Sequence, residues 1–196
     1  MNKKKLQIVE AAIRLFARDG VGVTTAAIAK EASVSNGTLF NHFETKQALL
    51  DDVYLFIKRN MAAEILDGVD FSASVREIFL AQWLSFANWS YDHLTEYQAL
   101  NVLHSSQLLG ERARQCGEDL WEPIFEKLAE GQESGTLNAI SPELLCITAQ
   151  SYLHAVVVHI NRKNYSRSEA EVIFREAFTI YWRGIASSAS NSGETD

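Results

Sequence analysis

Apolar residues recur along this chain at three- and four-residue intervals, the spacing of one helix face rather than of a pleated strand. Residues 6–18 place Ile8, Ala11, Ala12, Leu15 and Phe16 on one side, and Gly20 closes the stretch. Thr24 is a natural cap for a short helix over residues 25–31, with Ile28 and Ala29 facing in. Residues 32–34 read as a tight turn. Ser35 then caps a second short helix, residues 36–42, whose inward side chains are Leu39 and Phe43. Thr45 opens a longer helix from residue 46 to about residue 66, a span of ~30 Å at the usual rise per residue.

The later part continues in helical period. Ser74-Val-Arg-Glu77 is a capping box opening a helix to about residue 91, and Thr95-Glu-Tyr-Gln98 opens another to about residue 104. The stretch 108–133 is amphipathic but contains Pro123, which predicts a kink or break, and Gly131 to Gly135 stop it. Ser141 followed by Pro142 begins a helix to about residue 162. A further box, Ser168-Glu-Ala-Glu171, opens the last one to about residue 186. The expected fold class is all-α, with about nine helices. A head over residues 1–50, a body over 51–186 and a loose tail over 187–196 are the expected parts.

Composition narrows the picture. The chain has 196 residues, 47% hydrophobic and 22% charged, as an ordinary globular protein has. Its 2 Pro and 10 Gly are too few for the frequent turns of an all-β sandwich. Cys116 and Cys146 form no CxxC pair, so neither a disulfide framework nor a zinc ribbon is expected. No apolar run follows the basic start as in a signal peptide, and the most hydrophobic later stretch, residues 153–160, is far short of the ~20 residues that span a bilayer. A cytoplasmic protein with no membrane partner is expected. The net charge of −7 is uneven: residues 1–60 carry nine Lys/Arg against six Asp/Glu, and the remainder is strongly acidic. Only the first part suits a polyanion. His42, His93, His104, His154 and His159 are scattered, and no HExxH, GxSxG, P-loop or GxGxxG occurs. No catalytic residue, metal or cofactor is expected.

Two short capped helices joined by a turn, with Ile28, Ala29, Val34, Leu39 and Phe43 pinning one across the other, are the arrangement of a DNA-reading helix-turn-helix. The outward face of the second is small and polar: Asn36, Gly37, Thr38, Asn41 and His42. Gly37 and Thr38 leave room for approach to base edges, and backbone N–H groups at both helix starts can hold phosphates. Lys46 is placed to clamp a phosphate, and Lys3–Lys5 are expected to form a flexible basic arm. The alternative is that both helices simply cap a bundle, their polar residues facing water.

The run IVEAAIRLFARDGVGVTTAAIAKEASVSNGTLFNHFETKQALLDDV resembles the N-terminal domain of the TetR (tetracycline-repressor-like) family of bacterial transcription regulators. The likeness rests on AA..LF...G, T...IA..A.VS.GTL and F..K..LL; a weaker one extends through GQESGTL…SPELL. It implies that Thr24, Ser35, Thr38, Asn41 and Lys46 touch DNA with Gly37 close to the bases, and Thr25, Asn36, Phe40 and His42 complete the candidate set. Departures from the family pattern are Ser33 for a common glycine, Asn36 for a frequent lysine, Phe40 for a frequent tyrosine, and Ala26 for a longer polar residue. Fewer phosphate contacts imply a shallow salt dependence.

For the body, the resemblance implies an effector pocket among the fourth to eighth helices. Phe79, Trp83, Phe86, Asn101, His104, Trp121 and Ile124 are its candidate lining, suited to a small hydrophobic or aromatic effector. The alternative is that this aromatic stripe is packed core, which is the better reading for any single one of these residues. The last two long helices carry broad apolar faces, with Leu145, Tyr152, Val156 and His159 on one and Ile173, Phe174, Phe178 and Tyr181 on the other. Such pairs associate across a twofold axis as four helices. The expected function is a homodimeric, ligand-responsive regulator, most often a repressor in this family, on a pseudo-palindromic double-stranded DNA operator. A helical adaptor using the head to bind protein, or an all-α enzyme, are the alternatives.

Overall fold

The computed structural model describes residues 2–187, among which there are ten α-helices and no β-strand. They are α1 (Lys3–Asp19), α2 (Thr25–Glu31), α3 (Asn36–His42), α4 (Lys46–Asp67), α5 (Val75–Asp92), α6 (Leu94–Ser105), α7 (Glu111–Asp119), α8 (Glu122–Glu133), α9 (Pro142–Lys163) and α10 (Arg167–Ile185). The fold is all-α. The additional helix arises where the 108–133 stretch breaks: α7 ends at Asp119, and Pro123 enters the first turn of α8, where a missing N–H removes no helical bond. Of the expected tail, all but Ser187 lies outside the described residues.

Two compact units are built from these helices, each from two stretches of chain: Met1–Ala62 with His93–Leu120, and Ala63–Asp92 with Trp121–Asp196. In the first, α1 buries Val9 and Ile13 as well as the predicted Ile8, Ala11, Ala12, Leu15 and Phe16. A single stripe would not do this; α6 packs along α1 in addition to α2. Helix α7 approaches α4 closely. Asp51 Oδ1 accepts the Gly110 backbone N–H at 2.9 Å, and a Cβ at Gly117 would fall 2.5 Å from the Tyr54 hydroxyl, so only glycine fits there.

In the second unit the Trp83 indole N–H donates to the Phe174 carbonyl at 3.0 Å, and its ring stacks on Tyr181 at 5.3 Å. Phe178 and Tyr152 flank it. A neighbouring cluster gathers Val69, Ile78 and Ile124, with Phe79 and Trp121 against it.

Several local expectations are corrected. Asn2 caps α1 by accepting the Lys4 N–H at 2.9 Å, so Lys3–Lys5 form a first helical turn and not a flexible arm. The expected box at Thr95 is not formed: α6 starts at Leu94 behind His93, without a side-chain cap. The last capping box is Ser166 with Glu169, two residues before the expected one. Both tetrapeptides fit the motif. The earlier one is used because α9 ends on left-handed Asn164 (φ 53°, ψ 42°) and the chain re-enters a helix at once. The Ser74–Glu77 box forms as expected.

Candidate nucleic-acid interface

The interface begins with two hydroxyl caps. Thr24 accepts the Ala27 N–H at 3.2 Å and Ser35 accepts the Thr38 N–H at 3.0 Å, which fixes the start of α2 and of α3. Between them Val34 N–H reaches back to the Ala29 carbonyl at 2.9 Å, and Ser33 turns the chain with φ 54°, a left-handed conformation that favours glycine. Helix α3, only 7 residues long, is anchored inward by Leu39 and Phe43, which are 0% and 2% exposed. A helix of this length is not stable by itself, so these anchors set its orientation.

Around them, Thr24, Ser35, Asn36, Gly37, Phe40 and Asn41 are exposed, while Thr25, Thr38, His42 and Lys46 are half-buried. All ten candidates lie in the first unit, on or beside α2, α3 and the start of α4. The Thr38 hydroxyl pairs with that of Ser35 at 2.8 Å, and the Lys46 ammonium donates to the Val21 carbonyl at 2.6 Å. Lys46 therefore ties the loop after α1 to the base of α4, a role that its sequence position did not reveal.

Five of the seven candidate effector residues, Phe79, Trp83, Phe86, Trp121 and Ile124, lie in the second unit. Phe79, Trp121 and Ile124 share one cluster; Trp83, 4% exposed, belongs to the Phe178–Tyr181 stack; Phe86 leans on Trp89 at 6.3 Å. Asn101 and His104 belong to the first unit. Asn101 spends its amide on the Tyr97 carbonyl of its own helix, at 3.0 Å. Beside the second unit's aromatic core, an open groove of about 440 Å³ is lined by Leu84, Asn88, Tyr91, Arg167 and Phe174, among others, and includes none of those seven.

His104 sets its ring edge-on to Tyr54, centroids 5.3 Å apart. Part of the residue faces water, but the packed ring is desolvated, and the Lys58 and Arg114 cations add to this, lowering its pKa from 6.5 to about 4. Burial, then the charge of Glu118, pushes Tyr54 up from 10.0 to about 12. Both groups are held neutral by folding, so the signs are opposite in pH. The His104 contribution is complete above pH 6.5 and is lost as pH falls towards about 4; that of Tyr54 is complete below pH 10.0 and is lost towards about 12. Urea midpoints measured across pH should fall on both sides of a plateau, and His104→Gln should flatten the acid side.

The expected dimer residues differ in exposure. Leu145, Phe174 and Phe178 are 2–3% exposed, and therefore belong to the protomer's own core. Tyr152, Val156, Ile173 and Tyr181 are half-buried, and His159 is exposed. The outward apolar residues are Leu144, Ile147 and Val158 on α9 and Val172 and Ile180 on α10, all 47–65% exposed. On α9, Ile147 and Val158 fall three and fourteen residues from Leu144, on one side of the helix and one position away from the expected face. Apolar on two faces, α9 is 22 residues long with a mean hydropathy of 1.3 in its most apolar window, and only 22% of that window is buried. By length and composition it reaches bilayer-spanning size, contrary to expectation, because an inward core face and an outward apolar face share one helix.

A buried-backed, polar-faced short helix set across a second one defines a DNA-reading helix-turn-helix protein. Residues 8–53 match the family model described as bacterial regulatory proteins, tetR family. The chain is 31% identical over 192 residues to the nucleoid occlusion factor SlmA of Marinomonas sp. (strain MWYL1), covering 94% of each. It is 38% identical over 76 residues to the HTH-type transcriptional regulator LuxR of Vibrio harveyi, and this match spans 38% of the chain and only 37% of that relative's length. Among solved structures, a candidate tetR family transcription regulator from Shewanella sp. PV-4 superposes with a TM-score of 0.86 at 26% identity, over 94% of this chain and 99% of that one. The chain belongs to the tetR family of bacterial regulatory proteins and carries its helix-turn-helix DNA-binding domain. Membership of a family of regulators sets aside the all-α enzyme alternative.

Proposed function

We propose that the protein is a cytoplasmic, ligand-responsive transcriptional repressor that grips a pseudo-palindromic operator as a homodimer and is released by a small hydrophobic or aromatic effector. The observation that carries this reading is α3, which exposes Asn36, Gly37, Phe40 and Asn41 while Leu39 and Phe43 hold its back. Asn41 reads a base edge, Thr38 and Ser35 meet backbone or base, and Thr24, Thr25, His42 and Lys46 flank the phosphates. The outward apolar residues of α9 and α10 support pairing of two protomers, which sets two reading helices about 34–36 Å apart or somewhat wider. Gel shift with DNA flanking its own gene tests the reading. A retarded complex that weakens with salt is expected; no complex at low ionic strength with any flanking segment overturns it.

Gly37 supports the same reading. A Cβ there would meet only Ser35 Oγ, at 3.9 Å, so the fold has room for alanine, and glycine costs a helix roughly 1 kcal/mol relative to alanine. Gly37→Ala should therefore raise thermal stability slightly and lower operator affinity by ~10-fold, because the added methyl stands between α3 and the groove. Melting temperature and fluorescence anisotropy check the two halves separately.

A second reading comes from the relative matched over nearly its whole length, whose name is that of a nucleoid occlusion factor. The same head then serves nucleoid occlusion in place of regulation of a promoter. Chromatin immunoprecipitation separates them: occupancy at a few promoters supports the repressor, while sites spread over the chromosome, with transcripts unchanged on deletion, support the second.

A further inference from the structure

Lys5 stands in the first turn of α1, where a DNA-binding head offers a basic side chain to phosphate. Its ammonium is engaged otherwise. It forms an ion pair with Asp52 of α4 and lies over the Phe43 ring, 5.2 Å from the centroid. Phe43 is the residue on which α3 ends: its N–H closes on the Leu39 carbonyl at 2.9 Å, its backbone is extended (φ −138°, ψ 99°), and its ring is 2% exposed. One side chain thus links α1, α4 and the exit of the reading helix.

We infer that Lys5 is a positioning residue for α3, acting with Asp52 through the Phe43 ring, and not a phosphate contact. This rests on the DNA-reading role proposed above. The entry of α3 is fixed by the Ser35 cap and the bond from Val34 to Ala29. Its exit depends on the seating of Phe43, and a cation over the ring face, itself held by a carboxylate, keeps that ring in place. Side chains of Lys5 and Asp52 are 32% and 39% exposed, so the pair acts by geometry more than by strength. A lysine already neutralised by a carboxylate also releases few counterions from DNA on binding.

The test is a cycle of Lys5→Met, Asp52→Asn and the double variant, with Lys5→Arg as the conservative control. Anisotropy on a duplex of the flanking DNA is followed across a salt series. Each single variant should lose about 3–10-fold in affinity, and the double variant no more than the worse single. The slope of log K against log salt should stay unchanged in the double variant, and Lys5→Arg should bind as the parent does. If instead Lys5→Met lowers the slope by ~0.9 per protomer while Asp52→Asn tightens binding, Lys5 is a phosphate contact and the inference fails. Hydrogen exchange at the Leu39 and Phe43 amides, measured without DNA, reads α3 directly. Faster exchange in both single variants supports the inference even if no operator is found, and exchange equal to the parent's overturns it.

Discussion

Ile180→Glu is expected to turn the protein from dimer to monomer without unfolding it. Ile180 is 65% exposed in the protomer, so a charge there meets water and costs the isolated fold little, within ~0.5 kcal/mol. At a twofold seam the same substitution buries two carboxylates close to each other, which association cannot tolerate. Ile147→Glu, at a residue 61% exposed on the neighbouring helix, should behave alike. Because a dimer holds its second head at high effective concentration, affinity for a full operator should fall 10²–10⁴-fold, while affinity for a single half-site stays as it was. Sedimentation velocity and anisotropy on the two duplexes give both readouts. Phe178→Ala is the contrast: at 2% exposure it removes core, costs ~3–5 kcal/mol, and should act on folding before association. A dimer that survives both glutamates would place the seam elsewhere.

That contrast shows what the sequence could and could not say. The helix-turn-helix was legible to the residue, because its limits are local events: Thr24 and Ser35 cap α2 and α3 through their own hydroxyls. The inward set Ile28, Leu39 and Phe43 follows from period alone. Which face of α9 turns outward was not legible. Helix α9 is apolar on two sides, and period cannot tell which side serves the chain's own core: Leu145, Leu153, Val157 and Ile160 turn in, Leu144, Ile147 and Val158 turn out. The aromatic body posed the same problem, since Trp83 looks identical in sequence whether it lines a cavity or donates to the Phe174 carbonyl. Lys5 and Lys46 are expected at DNA from their places beside the helix-turn-helix, and nothing local announces their contacts within the chain. Their partners, Asp52 and the Val21 carbonyl, are tens of residues away, where no local rule reaches.

Leu39→Ala should weaken operator binding severely while leaving most of the molecule folded. Leu39 is fully buried and sits in the middle of α3, and truncating such a side chain costs ~2–5 kcal/mol through lost transfer energy and the cavity left behind. The loss falls on a helix of 7 residues that is held by packing, so local detachment of α3 is the cheapest response of the structure. If binding requires α3 in place, that free energy appears as a drop in affinity of about 30-fold to several thousand-fold. All four tryptophans, Trp83, Trp89, Trp121 and Trp182, lie in the second unit, so their emission should be unaltered. Exchange at the α3 amides should meanwhile rise towards that of an unprotected segment. Parallel loss of tryptophan signal and DNA binding would mean that α3 is not separable from the remainder, and that the head lacks the independence on which a movable reading helix depends.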